Sequence, residues 1–97
     1  MSSLKFEIAA KNAIIAEIRK IYNETFEPKD ISVVWMAHLL GNKKGIFVDN
    51  GKNQRLYEAT YNNERNEMYL DMYEKRQNTV IPGEELDTRM SVDLEGS

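Results

Sequence analysis

The chain of 97 residues has room for one domain with a modest core. Hydrophobic residues make up 41% of the chain and charged residues 30%, values typical of a globular protein that exclude wholesale disorder. Because there is no cysteine and only one histidine, disulfides, thiolate zinc sites and cysteine nucleophiles are excluded. The longest uncharged apolar run, residues 31–40, is about half a membrane span, which predicts a cytoplasmic protein without a membrane segment.

The charge is unevenly distributed along the chain. Residues 1–83 carry 12 basic and 11 acidic side chains, whereas the last 14 residues carry five acids and one arginine. The net charge of −3 therefore comes from the C-terminal segment. We predict a single α+β domain over residues 1–83 and a flexible acidic tail over residues 84–97. The last six residues, VDLEGS, resemble translated cloning sites, so part of this tail is expected to be foreign to the natural chain.

An amphipathic helix is predicted from Leu4 to about Phe26, because the apolar side chains recur at helical spacing. Pro28 disfavours helical geometry at the preceding residue and is expected to end this helix. The side chains on the predicted apolar arc are Leu4, Ile8, Ala10, Ile14, Ile15, Ile18, Ile21 and Tyr22. We expect this arc to pack against a sheet.

Four strands are predicted after the helix, at residues 31–40, 44–49, 55–61 and 67–75. Residues 41–45 are expected to form a turn, and Asn50-Gly51 favours a second hairpin. The short connections require antiparallel pairing, because parallel crossovers need a dozen residues or more. The expected fold class is therefore α+β, with the N-terminal helix packed on one face of a four-stranded antiparallel β-meander.

Alternation along the strands divides their side chains between two faces. Odd positions are expected to pair with odd positions in the last hairpin, which places four tyrosines on the face away from the helix: Tyr57, Tyr61, Tyr69 and Tyr73. The helix would then meet the aliphatic residues Ile46, Val48, Leu56, Thr60, Met68, Leu70 and Met72. Tyrosine is enriched in protein interfaces, but it also has a high intrinsic preference for strands, so both interpretations stay open.

The first predicted strand is apolar on both faces, which a single helix cannot cover. One set contains Trp35, and the other contains Val34 and Met36. Either the chain covers the second set itself, with residues 80–81 and the tail, or a partner does. A symmetric homodimer through the open sheet face would bury this set together with the tyrosines.

Two segments carry a family resemblance. Residues 56–62 read LYEATYN and residues 67–75 read EMYLDMYEK, and Val34-Trp35 precedes them. This combination resembles a small uncharacterised family encoded by phages and prophages of Gram-positive bacteria. The resemblance implies an accessory phage protein in the bacterial cytoplasm, and it assigns no catalytic or binding residue.

We therefore expect a non-enzymatic protein, without catalytic residues, metal or cofactor, that binds a host or phage protein. A host defence or replication component is one expected target, and self-association as a dimer is also expected. The predicted contact residues are Tyr57, Tyr61, Tyr69, Tyr73, Val34 and Met36. The alternative is a single-stranded nucleic-acid-binding accessory protein, with Arg55 and Lys75 contacting phosphates. Glu67 and Asp71, on the predicted tyrosine face, argue against nucleic acid.

Overall fold

The computed structural model describes residues 1–53, 55–74 and 79–86. The elements in chain order are helix α1 (Ser3–Tyr22), a 3₁₀ turn (Pro28–Asp30) and strands β1 (Ile31–Leu39), β2 (Asn42–Asp49), β3 (Arg55–Asn62) and β4 (Glu67–Glu74). The strands form one antiparallel sheet in the order β1-β2-β3-β4, which confirms the predicted fold class. Within these ranges, no helix is both long and apolar enough to cross a bilayer. The predicted flexible tail lies largely outside the described residues.

Both ends of α1 are capped by side chains or backbone of the residues next to them. The Ser2 hydroxyl accepts a hydrogen bond from the Lys5 backbone N–H at 3.1 Å, which satisfies a free donor of the first turn. At the other end Asn23 adopts a left-handed conformation with φ 57°, and its N–H donates to the carbonyl of Arg19. The helix therefore ends at Tyr22 through this cap and not at the predicted Phe26.

The buried row of α1 differs from the predicted arc. Four residues spaced one turn apart are fully buried: Phe6, Ala10, Ile14 and Ile18. They pack on Phe47 and Tyr57 of the sheet, and the rings of Phe6 and Phe47 lie 6.4 Å apart. Three residues of the predicted arc, Leu4, Ile8 and Ile21, are exposed instead. The predicted arc omits Phe6, so its centre lies to one side of the row that is buried.

The register between β3 and β4 contradicts the predicted face of the tyrosines. Tyr57 pairs with Met72 and Tyr61 pairs with Met68, so odd positions of β3 face even positions of β4. Paired residues of an antiparallel ladder point to the same side of the sheet. Tyr57 and Tyr61 therefore lie under α1 together with the methionines, and both are buried.

The same register moves the predicted aliphatic face. Met68, Leu70 and Met72 do lie on the side of the helix, as expected, and they pack against the core. Four other members of the predicted set point to the opposite side of the sheet: Ile46, Val48, Leu56 and Thr60. The predicted face is therefore wrong for the side chains of β2 and β3, whereas it is correct for Met68, Leu70 and Met72 of β4.

A β-bulge in β1 alters the predicted alternation of that strand. Val33 pairs with Phe47 and Trp35 pairs with Ile46, which leaves Val34 without a partner in the ladder. The extra residue reverses the side on which all later side chains point. Met36, which pairs with Gly45, consequently lies on the side of the sheet that α1 covers. Trp35, which pairs with Ile46, lies on the other side.

The hairpin connections also differ in detail from the predictions. β1 and β2 are joined by Leu40 and Gly41, both with positive φ, so β2 begins at Asn42 and not at Lys44. A two-residue turn of this kind matches the twist of the strands. Asn50-Gly51 lies in a hairpin, as predicted, but neither residue has a positive φ. Asp49 holds this loop instead, because its carboxylate accepts the Gly51 N–H at 2.7 Å.

Substitutions of Tyr57 and Tyr69 test which tyrosine belongs to the core and which to the surface. Truncating Tyr57, which has 0% exposure, removes a ring from under α1, and Tyr57→Ala is expected to lower the free energy of unfolding by about 3–5 kcal/mol. Truncating Tyr69, which is 44% exposed, should cost less than about 1 kcal/mol. Chemical denaturation of both variants checks this difference. Equal losses would contradict the register between β3 and β4.

Candidate functional site

One complete face of the sheet lies away from α1, and we call it the open face. Its side chains follow the register in rows across the four strands. One row contains Ser32, Val48, Leu56 and Tyr73, the next Trp35, Ile46, Glu58 and Asp71, and a third Ala37, Lys44, Thr60 and Tyr69. α1 packs on the opposite face of the sheet, over Phe47 and Tyr57.

Apolar side chains form a continuous band across the open face. We call it the apolar strip and define it as Trp35, Ile46, Val48, Leu56 and Tyr73. Trp35 is 51% exposed, Leu56 37% and Tyr73 50%. Trp35 pairs directly with Ile46, and Leu56 pairs with both Val48 and Tyr73. The strip therefore reaches from one edge strand to the other, which is unusual for a surface that faces only water.

A charged group borders the apolar strip. The Lys44 ammonium lies 2.8 Å from a carboxylate oxygen of Glu58, and Asp71 pairs with Glu58 in the ladder. The hydrogen bond from Lys44 to Glu58 raises the pKa of the Lys44 ammonium, and the negative charge of Glu58 adds to this effect. Beside them the Tyr69 hydroxyl donates to Glu67 at 2.6 Å, which raises the pKa of that phenol. Acidic side chains thus outnumber basic ones on this face.

The structure distributes the six predicted contact residues over three environments. Tyr69 and Tyr73 lie on the open face and are about half exposed. Val34 is also exposed, at the bulge of the edge strand. Met36 is partly buried on the helix side, and Tyr57 and Tyr61 belong to the core. The predicted set is therefore not one surface, because the bulge and the β3–β4 register separate its members.

The remaining members of the apolar strip were not predicted as contact residues. The alternation along the strands predicts Leu56, Ile46 and Val48 on the helix side of the sheet. The length of the β3–β4 connection is the signal that could have placed them correctly. Four residues, 63–66, separate Asn62 from Glu67, and an even number of loop residues pairs odd positions with even ones.

A polar cluster fixes the C-terminal end of α1 to the sheet. Arg55 is 8% exposed, its Nη1 donates to Glu24 at 2.5 Å, and its guanidinium lies 3.7 Å from the ring centre of Tyr22. Burial opposes the charge of Arg55, but the hydrogen bonds with Glu24 and the Tyr57 hydroxyl, together with the negative charge of Glu24, outweigh it and raise the pKa of the guanidinium. The Tyr22 hydroxyl donates to Glu74. Arg55 is therefore occupied inside the fold and is not placed to contact a phosphate.

Tyr57 connects this end of the core to the β2–β3 loop. Its hydroxyl donates to the second carboxylate oxygen of Asp49 at 2.5 Å. Burial, followed by this hydrogen bond, raises the pKa of the Tyr57 phenol far above its usual value. The phenol is therefore a neutral structural donor at physiological pH. It has the strongly shifted pKa that marks many active sites, yet it sits in the core.

A second polar pair lies under the opposite end of the sheet. Lys43 is 2% exposed, and its ammonium lies 2.5 Å from Nδ1 of His38, its neighbour across the β1–β2 ladder. An ammonium can only donate, so Nδ1 of His38 accepts this hydrogen bond. Within the described part of the chain, no carboxylate lies within ion-pair distance of Lys43.

Neither polar cluster has the composition of a metal centre. Across residues 1–53, 55–74 and 79–86, no group of three or more His, Cys, Asp or Glu side chains could hold a metal ion. A cleft of about 330 Å³ lies between α1 and β4. Its lining consists of Ala13, Ala16, Glu17, Met68, Leu70 and Met72. Glu17 is the single charged group in this lining, so the cleft offers apolar contact and not a set of acid, base and nucleophile.

The fold and the open face define the class of this protein: a two-layer α+β domain with one helix on an antiparallel sheet. The profile of a family of unknown function, DUF6275, matches residues 7–83. Because this match spans well over half of the chain, the protein belongs to that family. A comparison with curated proteins finds no match, and neither does a comparison with solved structures.

The contact between the buried Lys43 ammonium and the exposed His38 ring yields a stability test. Removing the ammonium while keeping the stem, in Lys43→Met, should leave the free energy of unfolding within about 1 kcal/mol or increase it, because a buried cation pays a desolvation cost. His38→Phe should instead cost about 1–3 kcal/mol, because it leaves the Lys43 ammonium without its acceptor. Urea denaturation measures both effects. The double variant serves as the control and should recover most of the loss.

Proposed function

We propose that this protein is a non-enzymatic protein-binding module and that its open face is the contact surface. The observation that carries this proposal is the apolar strip, which crosses all four strands on the face opposite α1 and leaves Trp35 and Tyr73 about half exposed. Large aromatic side chains supply much of the binding energy in many interfaces. Trp35 and Tyr73 stand at the two ends of the strip and offer such anchors.

The charges on the open face indicate what kind of partner fits. Glu58, Glu67 and Asp71 lie beside the strip, and Lys44 is already paired with Glu58. A partner with an apolar centre and basic side chains on one flank would complement this pattern, since charge complementarity steers association and selects the partner. An acidic partner would face repulsion from the same carboxylates.

We further propose that the protein acts as a phage-encoded accessory protein in the cytoplasm of a Gram-positive bacterium. The support for this setting is the sequence resemblance in residues 56–62 and 67–75. The partner would then be a host or phage protein, with a host defence or replication component as one class of target. Loss of activity of that component on binding would be the expected consequence.

Nucleic-acid binding is less well supported than protein binding. Exposed aromatic rings on a sheet can stack on bases, and Trp35 and Tyr73 would be available for this. However, a nucleic-acid surface needs basic side chains along the phosphate path. Arg55, one of the two predicted phosphate contacts, is buried and paired with Glu24, and Lys75 lies outside the described residues.

The single tryptophan of the chain provides a direct test of the proposed surface. Trp35 lies in the strip, so its fluorescence reports on the open face without any label. A partner captured from a host lysate on wild-type protein should shift the Trp35 emission to the blue in the mixture, after the emission of the partner alone is subtracted. Trp35→Glu should reduce capture about tenfold or more, because an exposed aromatic anchor is lost and a charge is added.

The matched control for this test is Asn12→Glu, which adds the same charge on the exposed side of α1. It should capture the partner as the wild type does. Equal recovery with both variants would contradict the open face as contact surface. Binding of short single-stranded DNA that weakens steeply with salt would overturn the proposal in favour of a nucleic-acid-binding protein.

A further inference from the structure

The two edges of the sheet differ in regularity. β1 carries the bulge at Val34, which disturbs the row of backbone groups on that edge. β4 has no bulge, and all eight of its residues pair in register with β3. In the described part of the chain, nothing pairs with the outer side of β4. β4 is therefore the edge that is suited to accept a further strand.

The cleft between α1 and β4 opens beside this same edge. On the α1 side of the cleft, the side chains of Ala13 and Ala16 are too small to reach β4. They face Met68, Leu70 and Met72 across a volume of about 330 Å³. The three β4 side chains are only partly buried although they pack against the core. Methionines adapt their shape readily to a neighbour. The apolar side chains of β4 are therefore only partly covered at the same edge where the strand lacks a pairing partner.

We propose that a second copy of this chain completes both features. In this dimer β4 pairs with β4 of the partner subunit, which joins two four-stranded sheets into one sheet of eight strands. A two-fold axis perpendicular to the sheet makes a strand antiparallel to its own copy. It also places both helices on the same side of the joined sheet, so that the Met68, Leu70 and Met72 side chains of the two copies meet between them.

Three registers pair most of β4 with its copy, those centred on Tyr69, Leu70 and Asp71, and the sequence favours one of them. Residues that face α1 in one copy must pair with residues that face α1 in the other, so the axis must pass through a residue and not between two. Centring the axis on Leu70 places Met68 opposite Met72 of the partner subunit. It also places Glu67 opposite Tyr73 of the partner subunit, and Tyr69 opposite Asp71 of the partner subunit.

The neighbouring registers bring like charges together. An axis at Asp71 would place this carboxylate directly opposite its own copy. An axis at Tyr69 would place Glu67 opposite Asp71 of the partner subunit. Like charges directly across a ladder are destabilising, whereas the register centred on Leu70 sets every carboxylate of residues 67–73 against a tyrosine. This complementarity of β4 with itself favours a second copy as the occupant over an unrelated peptide.

This dimer leaves the proposed protein-binding face free. The open face lies on the side of the sheet opposite the helices, so edge pairing extends it across both copies. The inference is independent of the proposed function. The dimer described here would exist without any partner protein, and a partner could bind the open face of a monomer.

Directed cross-linking tests the register. Because the chain has no cysteine, two introduced cysteines are the only thiols of the variant that can form a disulfide. The double variant Tyr69→Cys with Asp71→Cys places thiols opposite each other across the axis, at a separation of about 4.5–5.5 Å between Cβ atoms before relaxation. Mild oxidation at high micromolar concentration should convert most of this variant to a covalent dimer. Peptide mapping should show disulfides between positions 69 and 71.

The control variant is Glu67→Cys with Asp71→Cys, which is offset from the proposed register and should cross-link several-fold less. Light scattering coupled to size exclusion should show that Tyr69→Asp, which places two carboxylates opposite each other at both symmetric sites, raises the dimer Kd about tenfold. Tyr69→Lys should not raise it. A wild-type monomer at this concentration, or preferential cross-linking of the control, would overturn the proposal.

Trp35 distinguishes this dimer from one formed through the open face. Dilution across the dimer Kd should leave the Trp35 emission unchanged, because β1 lies at the far edge of the sheet from β4. Dissociation on introduction of Trp35→Glu, or an emission shift on dilution, would assign the self-contact to the open face and overturn edge pairing. Neither result bears on binding of a different protein.

Discussion

The connection between β3 and β4 contains four residues, and that even number determines which side chains of the two strands share a face. The turn is tied down at several points. The Tyr61 hydroxyl donates to the Asn66 side chain at 2.7 Å, and the Asn63 backbone N–H donates to the Asn42 side chain at 2.8 Å. Asn66 accepts the left-handed conformation that closes the turn, with φ 52°. Because one residue more or less would turn every β4 side chain over, both the core and the open face depend on this length.

A charged residue orients the helix on this sheet. Apolar contacts alone would tolerate several angles of α1, since Phe6, Ala10, Ile14 and Ile18 form a simple row. Arg55 removes this freedom: its charge is buried, so Glu24 and the ring of Tyr22 must stay beside it. Losing either would leave a buried charge poorly compensated, which is strongly unfavourable. The Arg55 Nε also lies 3.9 Å from a carboxylate oxygen of Glu74, so two carboxylates hold this guanidinium in place.

The elements of this fold could be predicted from local patterns, whereas the faces of its strands could not. Helical spacing, Pro28 and the short polar connections are local signals, and they predicted one helix and four strands in the right order. The side on which a strand residue points depends on parity, which a single inserted residue reverses. Val34 is such an insertion, and nothing in its own side chain marks it as a bulge. The same holds for Tyr57 and Tyr61, whose chemistry fits a wet surface as well as a core that supplies Asp49 and Asn66 as acceptors.

Exposed apolar residues lie at the end of β1 and in the turn that follows it. The stability of the folded chain does not require them there. Leu40 is 89% exposed and adopts φ 53°, a conformation that a leucine takes at a cost of about 1–2 kcal/mol and that glycine or asparagine would take more easily. Leu39 beside it is 72% exposed. Neither the core nor the turn requires leucine at these positions. Because Leu39 lies on the same side of the sheet as Trp35, the contact surface of the open face is expected to continue along β1 to the tip of this hairpin.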